Sequence, residues 1–367
     1  MYNWERKDWR QFQYNENEFT AIALNFTALA GESHGYVQGL SGNEQEETIV
    51  SVLVKEAIKT SAIEGEFLSK IDLILSLREN LGYTSLRFPI KDKRAKGIAT
   101  LLVKARENVA NDLTEKQVFE WHKLLMMGNK DLNSGKYRSH SEPMQVISGT
   151  IGKEIIHFEA PPSAKVPAEM KMFFKWFSET RLGGKLFISN LLIRAAIAHL
   201  YFETIHPFED GNGRIGRIIA EKTLAQGLKR PILMSLSTAI ESDKKAYYSA
   251  LKKAQQTNDV TEWIHYFSKT ILKAQQDFIT TVNFLIKKTK FFSTYQSQLN
   301  KAQTKIVERM LEDGETVFLG GMNAKKYQSI TKVSKATATR HLQDLVEKGI
   351  LISNLGGRST NYQVNLK

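Results

Sequence analysis

One stretch constrains this chain more than any other: residues 206–217 read His-Pro-Phe-Glu-Asp-Gly-Asn-Gly-Arg-Ile-Gly-Arg, directly after an apolar run from Phe187 to Phe202. The run predicts a buried helix. Gly211-Asn212-Gly213 tolerates positive φ and leaves backbone N–H groups uncovered where the next helix begins, which makes an anion-binding nest. Arg214 and Arg217, three residues apart, share one face of that helix, and a guanidinium fork matches phosphate oxygens in pairs. Together they point to a polyphosphate. Asp210, just before the nest, is placed to bind Mg²⁺, which takes one or two carboxylates plus phosphate oxygens. His206, four residues upstream, is a candidate to accept a proton from a hydroxyl nucleophile. Phe208, set between polar neighbours, reads as the core anchor of the loop.

The 367 residues allow two or three domains at ~150 residues each. Fifty-one Lys and Arg against 39 Asp and Glu leave +12, a balance that favours polyanionic partners such as nucleotides or nucleic acid. With no cysteine, thiol nucleophiles, thiolate zinc sites and disulfide frameworks are excluded. The N-terminus alternates aromatic and charged residues, unlike a signal peptide, and no run of ~18 apolar residues could span a membrane. The expectation is a soluble, cytoplasmic chain without a membrane partner.

Up to about residue 290 the pattern is helical, with helices expected near 17–30, 44–60, 66–80, 94–112, 115–127, 165–181, 186–203, from 213 onward, 240–256 and 260–290. One segment differs. Residues 144–158 predict a β-hairpin, with Pro161-Pro162 ending its second strand. From about 296 the pattern changes to three helices, the last capped by Ser334, and two short strands around Gly356-Gly357-Arg358, the layout of a winged helix-turn-helix. Residues 295–367 carry eleven Lys and Arg against six Asp and Glu, about +5 of the surplus. Lys335, Thr337, Thr339 and Arg340 near the start of its third helix, with Arg358 on the wing, are the DNA-binding candidates. A protein–protein or dimerisation module with a solvated basic face fits the same pattern.

The segment 206–217 resembles the signature motif of the Fic family, His-x-Phe-x-Asp-Gly-Asn-Gly-Arg-x-x-Arg, without a departure. The resemblance covers about 45–290 and implies a mainly α, Fic-type bundle with a β-hairpin flap, to which the winged helix is added. The domains expected are a helical region 1–90 with an inhibitory helix at about 44–65, a Fic core 91–290, and the winged helix 295–367. The implied activity is AMP transfer from ATP·Mg²⁺ to a Ser, Thr or Tyr hydroxyl of a target protein or of the chain itself. His206 is then the general base and Asp210 the Mg²⁺ ligand. Gly211, Asn212 and Gly213 hold the α-phosphate, Arg214 and Arg217 the β- and γ-phosphates, and Ile215 and Gly216 fall within the same ATP-binding stretch. Tyr247 and Tyr248 stand where the family contacts the nucleotide; Gln255, where an Asn is common, departs from the pattern. The flap, with Val146, Ile147, Ile155 and Ile156, would dock a target segment as an added strand.

A second motif, Thr60-Ser-Ala-Ile-Glu64-Gly65, closes the helix that begins near Glu44. Gly65 reads as a C′ helix stop, and Glu64 in the last turn is poorly placed for the helix dipole, which prompts a search for its partner. The pattern resembles the inhibitory-helix motif of Fic proteins. It implies that Glu64 pairs with Arg217 and blocks the productive ATP pose; in some relatives the same glutamate orients a water for AMP removal, so a reverse, de-AMPylating activity stays open. Trp4, Trp9, Phe12 and Tyr14 read as packing against the bundle or against a second subunit, which would make a homodimer. The alternative from another class is a DNA-binding transcriptional regulator whose Fic domain senses nucleotide.

Overall fold

In the computed structural model, the described residues are 1–129, 133–148, 155–312, 318, 320–354 and 360–366. Two compact units result, one made of Met1–Gln38 with Ile49–Phe278, the other of Gly39–Thr48 with Ile279–Lys367. The first unit thus takes in residues 49–90 together with 91–278.

In chain order the helices are α1 (Thr20–Gln38), α2 (Gly42–Ile63), α3 (Lys70–Asn80), α4 (Lys93–Arg106), α5 (Glu115–Leu125), α6 (Val166–Glu179), α7 (Leu191–Ile205), α8 (Asn212–Leu228), α9 (Leu236–Glu241), α10 (Lys244–Ala254) and α11 (Thr261–Tyr295). The hairpin β1 (Gln145–Ser148) and β2 (Ile155–Glu159) falls between α5 and α6. It is antiparallel, with a bulge between Val146 and Ile147 and with Ile147 opposite Ile156. The flap expectation thus finds a hairpin in place. Ile147 and Ile156 are about half exposed; Arg358 and the side chain of Ile155 lie outside what is described.

At the centre is α7, whose residues from Leu192 to Ile205 are all buried. A helix apolar all round belongs inside a bundle, and here α4, α5, α6 and α8 enclose it around Leu101, Trp121, Phe173, Phe202 and Ile219. It starts at 191 rather than 186 because the Asn190 carboxamide caps it, accepting from the N–H groups of Leu192 and Ile193. The expected helix 240–256 is two, since Ser235 caps α9 and Asp243 caps α10. The expected 94–112 helix stops at Arg106, where Glu107 turns to extended backbone.

The aromatic N-terminus packs on the bundle. Trp9 is buried in edge-on contact with Tyr201, and its indole N–H donates to Glu169. The Trp4 indole N–H donates to the carbonyl of Glu159, at the end of β2 (2.7 Å).

In the second unit, α12 (Lys301–Met310), α13 (Ala324–Thr331) and α14 (Lys335–Glu347) precede an antiparallel pair, β3 (Leu351–Asn354) and β4 (Asn361–Val364). Ile306, Tyr327, Leu342 and Leu345 form its core. Ser334 caps α14, accepting from the N–H of Thr337, and Lys335, Thr339 and Arg340 are exposed. Among the described residues, no helix is long and apolar enough to cross a membrane.

Candidate active site

Where α7 ends, His206 turns the chain in the left-handed region (φ 49°). Its Nδ1 lies 3.3 Å from the carbonyl of Glu203. A carbonyl only accepts, so Nδ1 carries the proton of a neutral ring and Nε2 keeps its lone pair. Burial pushes the imidazole down to about 4, and the Arg138 cation works in the same direction. The ring is therefore neutral and able to receive a proton at ordinary pH.

The loop that follows is pinned from within. Phe208 is fully buried and lies flat against His122, ring centres 3.9 Å apart. Asn212 grips its backbone on both sides, accepting from the N–H and donating to the carbonyl of Phe208, each at 2.9 Å. The Asn212 side chain is thus spent on the loop, leaving its backbone N–H for a ligand. His122 accepts from the N–H of Gly135 and donates to the carbonyl of Asp210. Gly211, at φ 82°, caps α8, and a Cβ there would stand 2.5 Å from Cε of Met126. The first N–H groups of α8 have no helical carbonyl to reach and form the positive end of its dipole. Asp210 Oδ1 accepts from the N–H of Gly211 (2.6 Å), and its carboxylate is about half exposed beside that helix end. One exposed carboxylate next to an anion nest suits Mg²⁺ shared with phosphate oxygens. Among the described residues, no cluster of three or more acids and histidines could hold a metal without such a ligand.

Both motif arginines are buried, Arg217 held by Thr60 in the last turn of α2 and by Glu64 just after it, Arg214 by Glu66 in the turn beyond and by Asp210. Arg217 donates from Nε to Oγ1 of Thr60 (2.9 Å) and from a terminal nitrogen to the carbonyl of Thr60 (3.1 Å) and to Oε1 of Glu64 (2.9 Å). The spacing of four places Thr60 and Glu64 one turn apart on the same helix face. Arg214, 2% exposed, pairs with Glu66 (2.8 Å) and Asp210 (3.2 Å). Glu66 was not among the sequence candidates. Gly65 stands at φ 79°, its N–H bonded to the carbonyl of Ala62, while the N–H of Glu66 reaches the carbonyl of Ser61. This is a Schellman stop, and it turns two acids, 64 and 66, toward two arginines. The dipole that disfavours Glu64 is met by Arg217 and by Lys244, whose ammonium donates to the carbonyl of Ile63. A Cβ on Gly213 would come within 2.8 Å of Glu64 Oε1, so a side chain there would push that flexible carboxylate aside.

The remaining ATP-contact candidates lie as follows. Ile215 is fully buried in the core, on the side of α8 away from the arginines. Gly216 faces α7, where a Cβ would meet Glu203 and His199. Tyr247 is buried with its hydroxyl 2.8 Å from Nε2 of His199, because its ring fills the space beside Trp263. Tyr248 keeps 38% of its surface exposed, with the Lys244 ammonium over its ring. Gln255 is buried against the carbonyl of Glu203 at the long distance of 3.5 Å. Glu203 itself, buried with Oε2 3.9 Å from His206 Nδ1, is pushed up to about 8 by burial, against the pull of Arg217.

Residues 112–224 match the family described as Fic/DOC family, and residues 2–83 match a domain of unknown function, DUF4172. The stretch 112–224, which carries the 206–217 loop, is thus similar to the Fic/DOC family. Over 239 residues the chain is 23% identical to a protein adenylyltransferase Fic of Nematostella vectensis, covering 60% of this chain and 49% of the relative. Over 276 residues it is 22% identical to a protein adenylyltransferase Fic of Aedes aegypti, covering 72% and 46%. The chain therefore spans about half the length of these curated relatives. Its fold is similar to the crystal structure of a Fic family protein from Desulfovibrio desulfuricans G20, with a TM-score of 0.53, 20% identity, and 95% and 97% of the two chains covered.

Proposed function

We propose that the protein is a self-inhibited protein adenylyltransferase that uses ATP with Mg²⁺. The observation that carries this reading is the double occupancy of Arg217 by Thr60 and Glu64, beside a loop that presents a neutral imidazole and a free helix N-terminus. In the reaction the hydroxyl oxygen of a target attacks the α-phosphorus, the bond from that phosphorus to the bridging oxygen breaks, and pyrophosphate leaves. The hydroxyl proton passes to Nε2 of His206, whose Nδ1 stays fixed on the carbonyl of Glu203. The N–H groups opening α8 face charge growing on the α-phosphate, and the two arginines hold the outer phosphates once Glu64 and Glu66 release them. Asp210 would hold Mg²⁺, which supplies charge neutralisation of the phosphates. The carboxylate of Glu64 stands where Arg217 would otherwise meet an outer phosphate, so the resting chain is closed to productive ATP.

The half-exposed pair Ile147 and Ile156 supports target docking along the hairpin, and Val146 and Ile155 extend the same two strands. The test is incubation of the wild type, Glu64→Gly and Glu64→Gly with His206→Ala with ATP labelled at the α- or the γ-phosphate, read by mass spectrometry. Retention of the α label by Glu64→Gly alone is expected; retention of the γ label instead would mean phosphate transfer.

A second reading concerns the tail, where Lys335, Thr339 and Arg340 line the exposed N-terminal side of α14, with Thr337 half-buried among them. That face suits a winged helix laying α14 in a DNA major groove. A gel shift with genomic fragments, with and without ATP, tests it and also the regulator role.

A further inference from the structure

Arg138 is a buried guanidinium, 2% exposed, that no carboxylate pairs among the described residues. Every face of its fork is used. Nε donates to the carbonyl of His206 (2.8 Å), one terminal nitrogen to Oγ of Ser163 (2.9 Å), and the other to the carbonyls of Pro161 and Ile205 (3.2 Å to the latter). Its own N–H donates to the carbonyl of Pro207 at 2.9 Å. The partners fall into two groups. Ile205, His206 and Pro207 are the last residue of α7 and the catalytic turn. Pro161 and Ser163 follow directly on β2, whose ladder runs on through the N–H of Ala160 to the carbonyl of Met144.

Taking an unpaired cation out of water costs several kcal/mol, so its place needs a return. Part of it is the helix dipole, since the carbonyls at the end of α7 carry its negative end. The rest is geometric. A non-glycine residue in the left-handed region costs about 1–2 kcal/mol, and the bond from Arg138 to the His206 carbonyl is what holds the turn there.

We propose that Arg138 is a positioning residue for the transfer: it ties the base of the β1–β2 hairpin to the turn that carries His206, so that the strand that docks a target and the base that deprotonates it keep one register. The inference rests on the transferase reading above and adds to it a link between docking and chemistry. The same cation faces the His206 ring together with Glu203, Glu64 and Asp210, and alone among these four it opposes protonation.

The test has two arms. In the Glu64→Gly protein, Arg138→Gln is expected to lower kcat for self-labelling about 100-fold, the scale of a 1 Å misplacement, with KM for ATP unchanged. Arg138→Lys keeps the charge without the fork and is expected to lose about 10-fold. In the chain with Glu64 intact, the His206 titration midpoint, followed by NMR, is expected to rise in Arg138→Gln and to stay near the parent value in Arg138→Lys. An unchanged midpoint and an unchanged kcat per folded molecule would overturn the proposal, as would kcat and KM for ATP worsening in step with melting temperature. Should both variants unfold, Ser163→Ala removes one hairpin-side acceptor only, and is expected to lower kcat about 5-fold with KM for ATP unchanged; no change would overturn the link. If the Glu64→Gly parent takes up no label, the transferase reading fails while the midpoint arm still decides the role of Arg138.

Discussion

Arg217 keeps its charge with 1% of its side chain exposed because Thr60 and Glu64 take its hydrogen bonds. Losing one partner of a buried pair costs ~3–5 kcal/mol, but Glu64 is 28% exposed, so about 2 kcal/mol is the fair share. Glu64→Gly should therefore tighten ATP binding about 30-fold by calorimetry. Arg214 stays paired with Glu66 in that variant, so Glu66→Ala added to Glu64→Gly should give a further gain of about 5-fold. Equal affinities of the single and double variants would remove Glu66 from the lock. Titration gives a separate residue-scale test. Glu203 and Glu221 are both pushed up to about 8 by burial, above the 4.5 of an ordinary Glu. The folded chain keeps their protons while the unfolded chain loses them, so their contribution is full below pH 4.5 and lost as pH rises toward 8. His206 and His122 are pushed down to about 4, chiefly by burial, which favours the unfolded chain below pH 6.5 and has no effect above it. Of these four groups only the carboxyls act between pH 6.5 and 8, so their part in the melting temperature should fall across that window, and Glu203→Gln should flatten the fall.

At the scale of elements, the end of α2 works as a unit whose shape is set by Gly65. A Cβ there meets nothing within 4 Å, so Gly65→Ala costs only its backbone strain of about 1 kcal/mol at φ 79°. The Schellman turn should loosen and self-labelling rise about 5-fold, well short of Glu64→Gly. Ile147→Ser with Ile156→Ser, on the exposed face of the hairpin, should reduce labelling of lysate proteins while leaving ATP affinity unchanged. The motif 206–217 was legible because each residue type there has few other uses at that spacing, and Glu64 because an acid at a helix C-terminus is anomalous. Glu66 carried a weaker form of that signal, two residues on across a glycine turn. Arg138 and His122 carried none: their value lies in carbonyls and N–H groups of Ile205, His206, Asp210 and Gly135 that only the fold brings within reach. The burial of Ile215 and Tyr247 was not legible, because sequence position alone does not say which helix face a side chain takes.

Across the whole molecule, the surplus of positive charge divides between two compact units. In the first, the buried Arg214 and Arg217 are paired with Glu66 and Glu64, just past the end of α2; in the second, Lys335 and Arg340 are exposed at the start of α14. If the second unit binds DNA, Lys335→Ala with Arg340→Ala should reduce the slope of log affinity against log salt by about 2, roughly one unit for each phosphate no longer neutralised. An unchanged slope would assign that face to a protein partner. The central claim, that Glu64, at the end of α2, closes a working transferase, is tested most directly by incubating the wild type, Glu64→Gly and Glu64→Gly with His206→Ala side by side with α-labelled ATP and Mg²⁺. Strong labelling of Glu64→Gly, faint labelling of the wild type and none of the His206→Ala form is the predicted result. Equal labelling of the wild type and Glu64→Gly, or labelling that survives His206→Ala, would contradict it.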